Sequence, residues 1–211
     1  MADFKIIKPN EEGKGYLIEN SGYIDPNDDR NKTSLKEFEE RKQSGFIIKE
    51  PLIIYDVLQK YGVENQNGRI YSEFILKREN DKYQFNIRNR SAYGENNHAD
   101  TSIIDSERLA INILETWWEG HTLMGKLEVL MTPGFVNYGV ASCQGDLVAN
   151  WLRLGLTIGI SSRGLGTVKK VAGKIIVQQD YELICWDVVT SPSTPGSWVF
   201  NSCLLYTSPS P

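Results

Sequence analysis

Residues 109–131 alternate apolar and polar side chains with a period of two. Leu109, Ile111, Ile113 and Trp117 fall on one face, and Leu123, Leu127, Val129 and Met131 repeat the pattern after Glu119-Gly120-His121. Such a period belongs to strands, whose successive side chains point to opposite faces, and the glycine between the two halves supplies a hairpin turn. The chain is thereby committed to an antiparallel sheet with one buried face. His121 falls in or beside the turn, where solvent is its expected surrounding.

The other segments add strands and a few helices. Residues 46–61 are rich in Ile, Leu, Val and Tyr, with Pro51 expected at an edge or a strand start. Residues 71–80 read as a helix with Phe74, Ile75 and Arg78 on one side, whereas 83–87 alternate, so helix and strand both remain open there. In 142–154, Leu147, Val148, Trp151 and Leu152 form a helical stripe that Gly155 stops. Leu156, Ile158 and Ile160 carry a strand inward and deliver Ser161 and Ser162 to a glycine-rich turn over 163–166. A hairpin is expected about Ala172-Gly173, and a strand over 181–189 sets Leu183, Cys185 and Asp187 on one face. Residues 191–196 end regular structure. Near the start, Ser34-Leu-Lys-Glu37 has the pattern of a capping box and opens a short polar helix to about Gln43. Residues 1–33 are polar and turn-rich, a flexible arm with one apolar island, Tyr16-Leu17-Ile18. There is no βαβα rhythm. The expected fold is α+β and mainly β: a β-barrel or strongly curved, mostly antiparallel sheet with peripheral helices.

Composition narrows the function classes. With 211 residues, 40% of them hydrophobic, the chain is long enough for one domain with a sizeable core. A net charge of −4 argues against nucleic acid as a partner. No apolar run is long enough to span a bilayer, so no membrane partner is expected. Three cysteines make neither a disulfide framework nor a zinc spacing, which fits a reducing compartment. No cofactor motif is present. Residues 203–211 translate TGT CTC TTA TAC ACA TCT CCG AGC CCA, a string that resembles a transposase adapter used in sequencing libraries. The expectation is that this tail is an adapter artefact and that the natural domain covers 34–202.

With two histidines in the chain, any imidazole mechanism must use His98 or His121. A serine hydroxyl becomes a nucleophile when a base takes its proton, and the base works best when a third group orients it. The available set is Ser161 or Ser162, one of the histidines, and Asp187. A carboxylate on the apolar face of a strand is costly unless paired, and a histidine N–H is a natural partner. Asp187 as the cap of a turn near Thr190 is the competing role. Glu95, His98 and Asp100 offer metal ligands without a second histidine or a cysteine cluster, and no metal is expected. A Cys143–His98 pair ranks below the serine set.

Gly94-Glu-Asn-Asn-His98, Trp117-Trp118, Gly159-Ile-Ser-Ser-Arg-Gly-Leu-Gly166, Asp187 and Ser191-Pro-Ser-Thr-Pro-Gly-Ser-Trp198 together resemble the prohead proteases of T4-like tailed phages, assemblin-like serine endopeptidases distantly similar to herpesvirus maturation proteases. Asn67-Gly-Arg-Ile-Tyr71 also resembles the segment that opens the first long helix of that family. Between Lys77 and Arg90 the match is poor, and Ala99 stands where the family commonly has proline.

The resemblance implies His98 as the base and Ser161 as the nucleophile; Asp187 is the candidate third member, at the strand position where herpesvirus enzymes place a second histidine. The resemblance also implies oxyanion stabilisation and support from Ser162, Arg163 and Gly164. It further implies cleavage after Glu with an aliphatic residue two positions earlier. Leu17-Ile-Glu19 followed by Asn20 fits that rule, so residues 1–33 are expected to be a propeptide arm released by self-cleavage between Glu19 and Asn20. The implied substrates are phage scaffold or core proteins and the major capsid protein. The implied place is the host cytoplasm inside the assembling prohead, and a homo-oligomer is the expected assembly. The alternative is a structural or scaffold core protein of the phage head that keeps the fold without activity. A small-acyl esterase ranks last, because the Gly-x-Ser-x-Gly elbow is missing.

Overall fold

The computed structural model describes residues 15–23, 28–43 and 52–190. In chain order the elements are β1 (Gly15–Tyr23), α1 (Asp29–Gln43), β2 (Leu52–Lys60), β3 (Arg69–Ile70), α2 (Glu73–Arg88) and β4 (Tyr93–Glu95). A 3-10 turn (Ser106–Arg108) leads into β5 (Leu109–Glu119) and β6 (Thr122–Val129). Then come α3 (Pro133–Tyr138), α4 (Gln144–Arg153), β7 (Gly159–Gly166), β8 (Val168–Val171), β9 (Lys174–Val177) and β10 (Glu182–Val189).

The hairpin read from 109–131 is β5–β6, turning at Gly120 with φ +61° and His121 beside it. Ile111, Ile113, Leu123, Leu127 and Val129 are buried from it, joined by Ile54 and Leu58 of β2 and by Val148, Ala149 and Leu152 of α4. Ile158, Ile160, Trp186 and Val188 complete this core from the sheet that carries the site. A second cluster, Tyr71, Ile75, Leu76, Val177 and Tyr181, holds α2 against β9 and the start of β10.

The strands form three sheets, in the orders β1-β7-β10, β2-β6-β5-β4 and β3-β9-β8. None closes on itself, so the expected barrel is not formed among the described residues. Beside β10, pairing stops at the end of β4: Asn96 makes one parallel bridge to Val188, and Asn97, at φ +68°, turns the chain out of the ladder. The loop that carries His98 begins at that break.

Several expectations change for local reasons. Residues 83–87 are helical, because Ser72 caps α2 and Ile75, Leu76, Glu79, Asn80 and Tyr83 recur on one buried face. Helix α1 begins at Asp29, not at Ser34: the Asp28 carboxylate accepts the Arg30 N–H at 2.9 Å, as a cap does. Residues 15–23, expected in a flexible arm, are strand β1, paired along the whole of β7. Helix α3, unforeseen, is opened by Thr132-Pro133 and stopped by Gly139 in the left-handed region at φ +71°. The expected end of regular structure at 191–196 and the tail 203–211 lie outside the described residues. No helix among those described is long and apolar enough to cross a membrane.

Candidate active site

Ser161 does not sit at a turn. β7 runs unbroken through Ser161, Ser162, Arg163 and Gly164, with β1 on one side and β10 on the other. The glycine read as a turn former serves close packing. A Cβ on Gly164 would stand 2.6 Å from the Tyr181 ring and 2.7 Å from the Glu182 carbonyl oxygen.

Alternation then separates the two serines. Ser161 and Arg163 share one face of the sheet with their partners across β10, Asp187 and Cys185. Ser162 points to the other face, opposite Trp186, where its buried Oγ has no hydrogen-bond partner among the described residues.

His98 reaches the first face from the loop after β4. The Asn97 N–H donates to the Val188 carbonyl at 2.7 Å, and the Asn97 side chain accepts the His98 N–H at 3.0 Å. The imidazole thus lies between the two strands. Its Nδ1 is 2.7 Å from Asp187 Oδ2 and its Nε2 is 2.8 Å from Ser161 Oγ. An ionised carboxylate can only accept, so the ring proton sits on Nδ1. Nε2 is then free to accept from the serine hydroxyl. Burial pushes the Asp187 carboxyl up, but the His98 hydrogen bond and the Arg163 guanidinium outweigh it and hold the group below the usual carboxylate value.

Beneath the imidazole lies a buried set of charges. Arg163 is fully buried, its Nε 2.9 Å from Asp187 Oδ2 without the alignment of a hydrogen bond. Its Nη2 donates to Asp187 Oδ1 at 3.3 Å and lies 3.2 Å from Glu95 Oε1. Its Nη1 donates to the Thr101 carbonyl at 2.8 Å. Burial opposes the charge on Arg163, but the Cys185 sulfur that accepts its Nη2–H and the carboxylates of Asp187 and Glu95 hold it protonated. The Cys185 thiol donates to Asp187 Oδ1 at 3.2 Å, and burial followed by that carboxylate pushes its pKa well up, so it stays a thiol.

The sequence-predicted residues therefore divide. His98, Ser161 and Asp187 converge, and the Arg163 side chain joins them. Ser162 turns away into the core, and Gly164 packs under Tyr181. Glu19 and Asn20 lie in β1 opposite Ser162 and Ser161. Asp187 is not a turn cap. The Cys143 thiol donates to the Leu130 carbonyl at 3.2 Å at the start of α4, with no contact to His98. Among the described residues no three His, Cys, Asp or Glu side chains gather as metal ligands, and Glu95 is engaged by Arg163 instead. Sequence reading assigned no role to Cys185, Thr101 or Arg108. For Cys185 the signal was present, since strand alternation already set it beside Asp187.

Nothing in this arrangement needs a bound group to complete it: a hydroxyl, an imidazole and a carboxylate in series can move one proton from an attacking oxygen to a departing nitrogen. The chain matches the prohead core protein serine protease family over residues 16–205. It is 32% identical over 155 residues to the prohead core protein protease of Enterobacteria phage T4, an alignment covering 72% of this chain and 69% of that protein. The structure of the bacteriophage T4 capsid assembly protease superposes with a TM-score of 0.66 at 25% identity, covering 84% of this chain and 99% of that one. The chain belongs to the prohead core protein serine protease family.

Proposed function

We propose that this protein is a serine endopeptidase that cuts scaffold and head proteins after Glu while a phage prohead matures, and that it activates itself by cutting between Glu19 and Asn20. The observation that carries the reading is the continuous hydrogen-bond chain Asp187–His98–Ser161, at 2.7 and 2.8 Å. In the reaction, Ser161 Oγ attacks the carbonyl carbon of the scissile bond as its proton passes to His98 Nε2. Asp187 holds the ring by Nδ1 and stabilises the imidazolium that forms. His98 then gives the proton to the departing amine, the C–N bond breaks, and an acyl-enzyme remains on Ser161. Water, deprotonated by the same nitrogen, releases the acid.

Negative charge builds on the carbonyl oxygen during attack and needs fixed N–H donors. The backbone of Ser162, Arg163 and Gly164 is assigned that role. Alternate N–H groups along a strand point to each neighbour, so those facing β1 become available when β1 leaves. Self-activation draws its support from the same edge. Ser161 is completely buried and β1 pairs beside it, so an external substrate has no approach until β1 moves.

The test is hydrolysis of a fluorogenic peptide with Leu-Ile-Glu before the scissile bond. The native chain should cleave it and Ser161→Ala should lose activity by about a thousandfold or more. Cleavage retained in Ser161→Ala, or equal cleavage of a Gln-containing peptide, would contradict the mechanism or the specificity respectively.

A further inference from the structure

We infer that Glu95 and Arg163 are positioning residues: a buried Glu95–Arg163–Asp187 ion chain fixes the loop that carries His98 and sets how strongly Asp187 holds a proton on it. This rests on the proposed use of His98 as the base.

The geometry has two parts. The first is mechanical. Residues 96–108 leave β4, cross the face that bears Ser161, and return at β5. Glu95 and Arg163 tie that span from below. Glu95 Oε1 accepts the Asp105 N–H at 2.6 Å, and Arg163 Nη1 donates to the Thr101 carbonyl at 2.8 Å. The Glu95 N–H meanwhile donates to Asp187 Oδ1 at 2.8 Å. Arg108 closes the outer side: its Nη2 donates to the Asn96 and Asn97 carbonyls at 2.9 and 3.1 Å, and its Nε lies 3.7 Å from Glu95 Oε2. Beside the neutral ties of Asn97 to the Val188 carbonyl and of Asn96 to Gln144, the remaining span of the His98 loop is thus held by charged groups in contact with this chain of ions. Arginine's planar fork is what lets one side chain address Asp187, Glu95 and Thr101 together, which a lysine ammonium does not do.

The second part is electrostatic. Asp187 Oδ2 receives His98 Nδ1–H at 2.7 Å and faces Arg163 Nε at 2.9 Å. One carboxylate oxygen is shared between two cationic partners whenever His98 is protonated. Arg163 therefore weakens the hold of Asp187 on an imidazolium, and Glu95, 3.2 Å from Arg163, offsets part of that cation. The charged and titratable groups around His98 are Asp187 and Cys185 on β10, Arg163 on β7, Glu95 ending β4, Arg108 before β5, and Tyr83 of α2, which interacts with Asp187 and Arg163. Among these, Arg163 and Glu95 act with opposite sign, and among the described residues neither has a charged partner outside this cluster. Buried ion sets of this kind add little net stability, so stability alone does not account for this one.

The chain has two histidines, and His121 stands in the β5–β6 turn, so a histidine proton NMR titration resolves His98 with an internal control and needs no enzymatic activity. Arg163→Met removes a cation near the ring and should raise the His98 titration midpoint by about one pH unit, while Glu95→Gln should lower it by a similar amount. His121 should not move in either. Arg163→Lys keeps the charge and should restore the midpoint, while its kcat falls about tenfold because the tie to Thr101 is gone. Midpoints that move in the same direction, or that stay put in folded variants, overturn the inference. If Arg163→Met does not fold, Glu95→Gln alone decides: a lowered midpoint upholds the ion chain and an unchanged one removes it. A native chain that cleaves no peptide yet shows the opposed shifts would refute the protease reading and leave the ion chain standing.

Discussion

Asn20 lies directly opposite Ser161 in the antiparallel pairing of β1 with β7, and the pairing is irregular between Asn20 and Gly22. The bond before Asn20 therefore lies in the strand next to Ser161, and the ladder becomes irregular just after it. A self-cut between Glu19 and Asn20 follows if β1 is the first substrate. Intact-mass spectrometry of the incubated native chain should show loss of residues 1–19, and Ser161→Ala should keep them. Equal processing in both would assign the cut to another enzyme.

Acid sensitivity follows from Asp187 and Asp146. The Asp146 carboxyl is pushed up by burial, but N–H donors of Ser142 and Thr132 and the Thr132 hydroxyl outweigh that and lower it. Asp187 is lowered too. A carboxyl whose folded pKa lies below its unfolded value, about 3.9, contributes stability that is full above that value and is lost as pH falls through the folded one. Urea midpoints should be level from pH 7 to 5 and decline below about pH 4. In Asp146→Asn that decline should be shallower. A decline as steep as that of the native chain would mean other groups carry it.

Gly94 tests how tightly β4 is set against β10. A Cβ there would stand 2.0 Å from the Trp186 carbonyl oxygen and 2.7 Å from the Ile111 side chain. Backbone has no room to yield, so Gly94→Ala should cost about 3 kcal/mol or more in chemical denaturation and displace the neighbouring Glu95. Gly62, in the left-handed region at φ +73° with open space around it, should cost only about 1–2 kcal/mol as Ala. Equal losses at both sites would show that β4 can shift.

The two serines make a matched control. Ser162 Oγ is buried on the core face with no hydrogen-bond partner among the described residues, so Ser162→Ala removes a polar group that makes no bond there. Its stability should be unchanged or raised by about 1 kcal/mol. Peptide cleavage should persist. A dead Ser162→Ala with an intact fold would move the nucleophile to the second serine.

The parts legible in the sequence were those written in local periodicity. Alternation over 109–131 gives β5–β6, and alternation over 181–189 already sets Cys185 beside Asp187. The meeting of His98, Ser161 and Asp187 is of another kind. Their separations of 63 and 89 residues encode no geometry; catalytic chemistry named the candidate set, and the motif resemblance chose His98 and Ser161 within it. Glycines misled at Gly164, because a residue that permits close approach looks the same as one that permits a turn. The ion contacts of the Arg163 side chain were not legible, because sequence does not say that Glu95 lies beside the face it takes. The open sheets were equally hidden, since nothing local says that the chain after β4 meets β10 through the single bridge of Asn96 to Val188 and not through a ladder.

The most direct measurement is active-site labelling of a chain beginning at Asn20 with a fluorophosphonate probe, followed by peptide mapping. The account predicts a single adduct on Ser161, abolished in His98→Ala and retained in Ser162→Ala. An adduct on Ser162, or no adduct in a chain that still cleaves peptides, would contradict it.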